Sequence, residues 1–226
     1  MKRIKEIWQA PELVPYSEEY DFYEAIAAAD GSKLLFSTKR RLNQSEDSEN
    51  LDLWMMERKD GAWRVPRPLD SVFNSAHNEA FCSLAKSGNL YFFRNYQGQR
   101  GCEIVVSKNL NGAFTSPESL GPAINTEKHE CDPFIDPDER LLIYCVRDRE
   151  GGFGKNDLYV SFKTETGTWT RSINLGPGIN GESEEITPHI SVDGKYLFFS
   201  SNRQGQYDIY WVDAKIIEKL KPKELR

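Results

Sequence analysis

Four acidic residues, Asp21, Glu79, Glu130 and Glu185, recur at matched positions, each at the head of an apolar stretch. The match at Asp21 requires one extra residue after it. Four carboxylates gathered around one axis would hold a hard cation such as Ca²⁺ or Mg²⁺ through oxygen ligands. Arg40, Arg149 and Arg203 recur after the next apolar run, while Arg94 and Arg100 flank that place in the second copy. Guanidinium–carboxylate forks are therefore the competing use of these acids, and the one the pattern favours. The histidines are His77, His129 and His189. Three imidazoles beside carboxylates would suit a transition metal, but these occupy non-equivalent repeat positions with no HxH or HExxH spacing. They read as surface or hydrogen-bonded side chains, and the sequence names no metal.

The elements that position these residues come from an internal repeat. Glu185–Val212 has a clear relative in Glu130–Ser161, a weaker one in Glu79–Ser107 and the weakest in Asp21–Met56. Each copy reads as an apolar strand, a turn (DG, SG, DE or DG), a second strand, a polar loop and a third strand. The third strand opens on Asp52, Glu103, Asp157 or Asp208, short acids suited to accepting backbone N–H groups in a turn. A fourth element follows as Trp63–Leu69, Phe114–Leu120 and Trp169–Leu175, and then a linker carrying Asn74, Asn125 or Asn180. The last copy lacks the fourth element, and Trp8–Val14 supplies its pattern at the N-terminus. The expected fold is all-β: a four-bladed β-propeller of four-stranded antiparallel blades, closed by the N-terminal strand, with a short C-terminal helix near Ile216, Ile217 and Leu220. One domain, 1–226, then holds blades at about 20–70, 78–121, 129–176, and 184–213 plus 5–14.

The segments Ser191–Trp211 and Asp136–Ser161, with the linkers Asn174–Glu185 and Ser119–Glu130, resemble the TolB-type, WD40-like propeller repeat family. The resemblance covers nearly the whole chain and is strongest in the last two copies; the second lacks the turn Asp and the first carries the insertion LNQSEDSEN. It implies a bacterial binding or assembly module, often on the envelope side, and names no catalytic residue.

A net charge of −6 argues against a nucleic-acid partner, which needs a basic face. No apolar run approaches the roughly 20 residues that span a bilayer. MKRIKEIWQAPEL has no apolar core after its positive charges, so it is not an intact signal peptide. Cys82, Cys102, Cys131 and Cys145 lack CxxC spacing and read as buried free thiols of a reducing compartment. A cytoplasmic monomer is the expectation, or a periplasmic one if a leader has been removed.

In a propeller, inter-blade linkers share one face with the loops between second and third strands. That face would collect Arg40, His77, Tyr96, His129, Arg149, Phe153, Arg203 and Tyr207, types enriched at binding hot spots. Gly151–Lys155 is glycine-rich but has no helix after it, so it reads as a flexible loop and not a phosphate cradle. Two functions compete. The favoured one is a non-catalytic scaffold for a protein, peptide or glycan, with no cofactor beyond an axial Ca²⁺ or other cation. The other is a sialidase- or glycosidase-like hydrolase near the axial channel, built from convergent acids, arginines and a tyrosine. KDGAW and ETGTW lack the Ser-x-Asp spacing of sialidase Asp boxes. No Ser/His/Asp set stands out.

Overall fold

The computed structural model describes residues 3–4, 7–8, 10–28, 30–39, 50–96 and 101–225. The first described strands, β1 (Arg3–Ile4) and β2 (Ile7–Trp8), pair with each other. Blade 1 follows with β3 (Tyr23–Ala27), β4 (Lys33–Thr38), β5 (Asp52–Lys59), β6 (Ala62–Trp63) and β7 (Arg67–Pro68). Blade 2 holds β8 (Asn78–Leu84), β9 (Leu90–Asn95), β10 (Cys102–Ser107), the hairpin β11 (Asn109–Leu110) and β12 (Ala113–Phe114), and β13 (Glu118–Ser119). Blade 3 holds β14 (His129–Ile135), β15 (Leu141–Arg147), β16 (Asn156–Phe162) and β17 (Ile173–Asn174). Blade 4 holds β18 (Glu185–Ile190), β19 (Tyr196–Ser201) and β20 (Asp208–Asp213), before helix α1 (Lys215–Leu220). The four blades are antiparallel sheets in a propeller arrangement, as the repeat predicts.

Strand composition decides how each blade is buried. In β15 the run LLIYCV is apolar on both faces: Leu142, Tyr144 and Val146 pack toward blade 2, and Ile143 and Cys145 toward blade 4. A strand buried on both sides has no need of the polar alternation that marks a half-solvated sheet. Successive blades repeat this packing, with Leu53 and Met55 of blade 1 meeting Phe92 and Val105 of blade 2. The far face of blade 1, where Phe36, Trp54 and Met56 are buried, is covered by Tyr16, Tyr20 and Phe22.

The first turn of blade 3 departs from glycine for a reason. Gly31, Gly88 and Gly194 hold a positive φ in the other blades, and Glu139 holds φ +57° in blade 3. That conformation costs a non-glycine residue about 1 kcal/mol or more. In return the Glu139 carboxylate accepts hydrogen bonds from Tyr91 Oη at 2.6 Å, Ser87 Oγ at 2.9 Å and Asn89 Nδ2 at 3.0 Å, tying blade 3 to blade 2.

Among the described residues the N-terminal strands β1 and β2 pair only with each other. Among the described residues β20 pairs only with β19, so blade 4 has three strands, while β5, β10 and β16 each carry an outer partner. Blade 4 also differs in its clasp. Behind each complete fourth strand an Asn amide grips the third strand: Asn74 on Leu53, Asn125 on Ile104, Asn180 on Leu158. Each accepts from that residue's N–H and donates to its C=O at 2.8–3.0 Å, imitating a strand neighbour. This Asn stands eleven positions after the aromatic residue in all three cases, and the same step from Trp8 reaches Glu19. A carboxylate has no N–H to donate, so Ile209, the matching residue of β20, gains no clasp.

Candidate functional site

Each inner strand contains a one-residue bulge, after Tyr23, Ala80, Cys131 and Ile186. The bulged residues Glu24, Phe81, Asp132 and Thr187 all take a positive φ near 50°. A bulge re-aims a side chain out of the pleat, here across to the next blade. Thr187 N–H donates to Asp132 Oδ2 at 3.1 Å, and the Phe81 N–H donates to Glu24.

The bulges also fix which residues are equivalent. Glu79, Glu130 and Glu185 stand one position before the last regular pair and are completely buried. In blade 1 that position is Phe22. Asp21 sits one residue earlier and is exposed, so the extra residue expected after it shifts the acid out of the ring. The acid at the blade 1 bulge is Glu24, which is half-buried. No spacing rule announces it, because the aromatic residue and the acid exchange places.

The three buried glutamates share one kind of partner, the linker residue four positions earlier. Ser75 Oγ donates to Glu79 at 2.5 Å and Ser75 N–H at 3.0 Å. Thr126 Oγ1 donates to Glu130 at 2.5 Å, and Gly181 N–H to Glu185 at 2.8 Å. Arginines add a second partner in two blades: Arg94 Nε lies 2.7 Å from Glu79, and Arg203 Nη2 lies 3.0 Å from Glu185. Arg149 instead donates to Ser172 Oγ at 2.6 Å and stacks 4.8 Å over Tyr159. It leaves Glu130 Oε2 without a hydrogen bond. Burial raises the carboxyl pKa of both Glu79 and Glu130. Asp132 is pushed up to about 7, by burial first, against the Thr187 and Cys145 hydrogen bonds that favour its anion.

Other expected residues fall in several places. Arg40 lies outside the described residues. The His77 and Tyr96 rings meet at 5.2 Å, both half-buried at the entry to blade 2. His129 is exposed and lies over Gly101, where a Cβ would stand 2.8 Å from its ring. Phe153 and Tyr207 are exposed on the same face, and the Tyr207 hydroxyl donates to the Glu184 carboxylate. Arg203 is held by Glu185, by the Ile179 carbonyl at 2.5 Å and by the Tyr210 ring at 4.8 Å. His189 stands apart from the other two histidines, its ring edge-on to Phe134 at 5.0 Å.

Gly151–Lys155 is not the free loop that its composition suggests. Asp157 accepts from Phe153 N–H at 2.7 Å and Gly154 N–H at 3.1 Å. Gly154 meets the carbonyls of Gly181 and Ser183 so closely that a Cβ would clash at 2.2–2.3 Å. Asp157 thus accepts backbone N–H groups, the use expected of a third-strand acid.

Among the described residues no group of three or more His, Cys, Asp or Glu side chains is placed to hold a metal ion. The four cysteines are free. Burial first, and then the Glu24 charge, push the Cys82 thiol up to about 12, far from a reactive thiolate. On the face opposite the loops, a groove of about 220 Å³ runs along α1, between Arg140 and Lys221. No described helix is long and apolar enough to cross a membrane.

With the blades and their fasteners described, solved structures can be compared. A TolB structure from Agrobacterium tumefaciens superposes on 92% of this chain with a TM-score of 0.55 at 21% identity. The fold is a TolB-type β-propeller. TolB from Acinetobacter baumannii matches over 85% of the chain, with a TM-score of 0.53 and 12% identity. Hydrazine synthase from Kuenenia stuttgartiensis matches over 88%, with 0.52 and 11%. The chain spans 61%, 40% and 55% of these three chains respectively. No protein-family model matches the sequence, and neither does any curated protein.

Proposed function

We propose that this TolB-type propeller is a non-catalytic scaffold that binds a protein or peptide segment on its loop face. The observation that carries the reading is the engagement of the inner acids. Glu79, Glu130 and Glu185 are buried and hydrogen-bonded to their own linkers, and hydrolytic catalysis needs carboxylates that reach substrate. Phe153, Tyr207, His129 and the His77–Tyr96 pair supply the aromatic contacts of a recognition surface, on loops anchored to rigid blades. The four free thiols fit work in a reducing compartment.

The test is selection of a random-peptide display library on the immobilised full chain, with a Phe153→Ala/Tyr207→Ala variant as counter-screen. Peptides that bind the native chain and lose at least about tenfold in affinity on the variant support the reading. Peptides indifferent to the substitutions, or binding confined to a glycan array, would overturn it.

A further inference from the structure

Three of the four free cysteines, Cys102, Cys131 and Cys145, form one chain of contacts across two blades. Cys131 of β14 lies directly opposite Cys145 of β15 in the strand register. It also reaches blade 2, where it packs against the apolar group of Ala80, Phe93 and Cys102. Hydrogen bonds join Cys102 to Cys131 and Cys131 to Cys145. The outer two thiols each have one more partner: His129 hydrogen-bonds the Cys102 sulfur, and Cys145 donates to the Asp132 carboxyl. Cys102 and Cys145 are buried, while Cys131 is half-buried and lies two residues from exposed His129. A single core cysteine serves as a small apolar side chain. Three in a row, one of them open to solvent, are placed for sulfur exchange.

We propose that Cys102 and Cys131 are a redox-modified pair, which a small-molecule disulfide oxidises to a bond that staples blade 2 to blade 3. Cys131, the thiol that solvent reaches, opens the reaction. Its thiolate attacks one sulfur of the oxidant RSSR, forming a mixed disulfide and releasing one RS⁻. Cys102 then attacks Cys131 Sγ, its thiolate held by the His129 hydrogen bond, and expels the second RS⁻. Two protein thiols are oxidised to one disulfide, RSSR is reduced to two RSH, and the protons lost by the cysteines are taken up by the two RS⁻. Cys145 is the poorer partner for two reasons. Directly opposed residues of an antiparallel pair hold their Cβ atoms about 4.5–5.5 Å apart, wider than the roughly 3.5–4.5 Å of a disulfide. Its thiol is also engaged by Asp132, and a neighbouring carboxylate disfavours the thiolate that would attack. Against a Cys102 hydrogen bond that favours its anion, the Cys145 hydrogen bond and burial hold the Cys131 thiol above the ordinary range. The exchange is therefore slow at neutral pH, and the free-thiol form persists until the oxidant accumulates.

Oxidised glutathione added to the reduced, folded full chain tests this, with free thiols then blocked and tryptic peptides mapped without reduction. Trypsin separates the three cysteines into Gly101–Lys108, His129–Arg140 and Leu141–Arg147, so each possible bond gives a distinct linked pair. The expected product joins Gly101–Lys108 to His129–Arg140 and leaves Cys82 and Cys145 free. The bond closes a long loop, so the oxidised chain melts about 5 °C or more above the reduced one, and dithiothreitol reverses the shift. Cys145→Ala still forms the bond. Cys102→Ala stops at the glutathione adduct on Cys131, and His129→Ala slows the second step about fivefold or more, so that the same adduct accumulates. Three results on the native chain would each overturn the proposal: four thiols that all stay free, a bond from Cys131 to Cys145, or a Cys102–Cys131 bond that leaves the melting temperature unchanged or lower.

Discussion

Blades 3 and 4 carry the most similar copies of the repeat, yet their axial groups are arranged differently. Blade 3 keeps two buried acids, Glu130 and Asp132, and its arginine points away to Ser172. Blade 4 keeps one, Glu185, faced by Arg203, and has Thr187 where blade 3 has Asp132. What both preserve is the bond from the glutamate back to the linker residue four positions earlier. The comparison teaches that the recurring glutamate is first a fastener of the linker. The arginine fork is an addition that one blade does without.

The largest test concerns charge. The Asp132 carboxyl titrates near 7 in the folded chain against 3.8 ordinarily, so the folded state binds the extra proton. Its stabilising effect is complete below about pH 4, is lost as pH rises toward 7, and is flat above that. The range amounts to about 4 kcal/mol at most, taking roughly 1.4 kcal/mol for each pH unit. Two neighbours act on the same carboxyl: the Cys145 hydrogen bond favours its anion and the Glu24 charge opposes it. Asp132→Asn should flatten the difference in unfolding free energy between pH 4 and pH 8. If the variant keeps the native slope, the pH dependence does not reside in blade 3.

Next in size is the clasp. Asn125→Ala leaves the buried Ile104 N–H without a partner and its C=O with only the Leu120 N–H at 3.4 Å, at a cost of about 2 kcal/mol in denaturant unfolding. A loss under about 1 kcal/mol would mean that the amide is a bystander and the outer strand is held some other way.

The smallest pair of effects divides the two blades directly. Glu185→Gln deprives Arg203 of its counter-charge and should cost about 2 kcal/mol, a buried-pair loss reduced because Arg203 is partly exposed. Glu130→Gln alters an acid whose nearby arginine, Arg149, donates to Ser172 instead, and should change stability by less than about 1 kcal/mol. Equal losses at both sites would mean that Arg149 reaches Glu130 in solution.

Much of this fold was legible in the sequence, because blades repeat and each strand either alternates or runs apolar according to its burial. The acids at Glu79, Glu130 and Glu185 were legible for the same reason. Asp21 misled, since a shift of one residue across a bulge moves an acid from the axis to the surface. Trp8–Val14 carries the outer-strand pattern too, but Glu19 stands where the other copies have the clasping asparagine. Those asparagines recur five residues before each glutamate, a signal present in the sequence whose use appears only once Leu53, Ile104 and Leu158 are seen beneath them. Glu139 resists sequence reading altogether, because its role lies in three side chains of another blade.

The central claim is that the buried glutamates hold the linkers. Amide hydrogen exchange at Ser75, Thr126 and Gly181 measures it directly, in the native chain and in Glu79→Ala, Glu130→Ala and Glu185→Ala. The account predicts that each substitution speeds exchange at its own linker amide by about tenfold or more, equivalent to roughly 1.4 kcal/mol of lost local protection, with the other two linkers unchanged. Linker exchange that stays at the native rate in all three variants, together with loss of binding to peptides selected on the native chain, would contradict it and return these acids to the functional site.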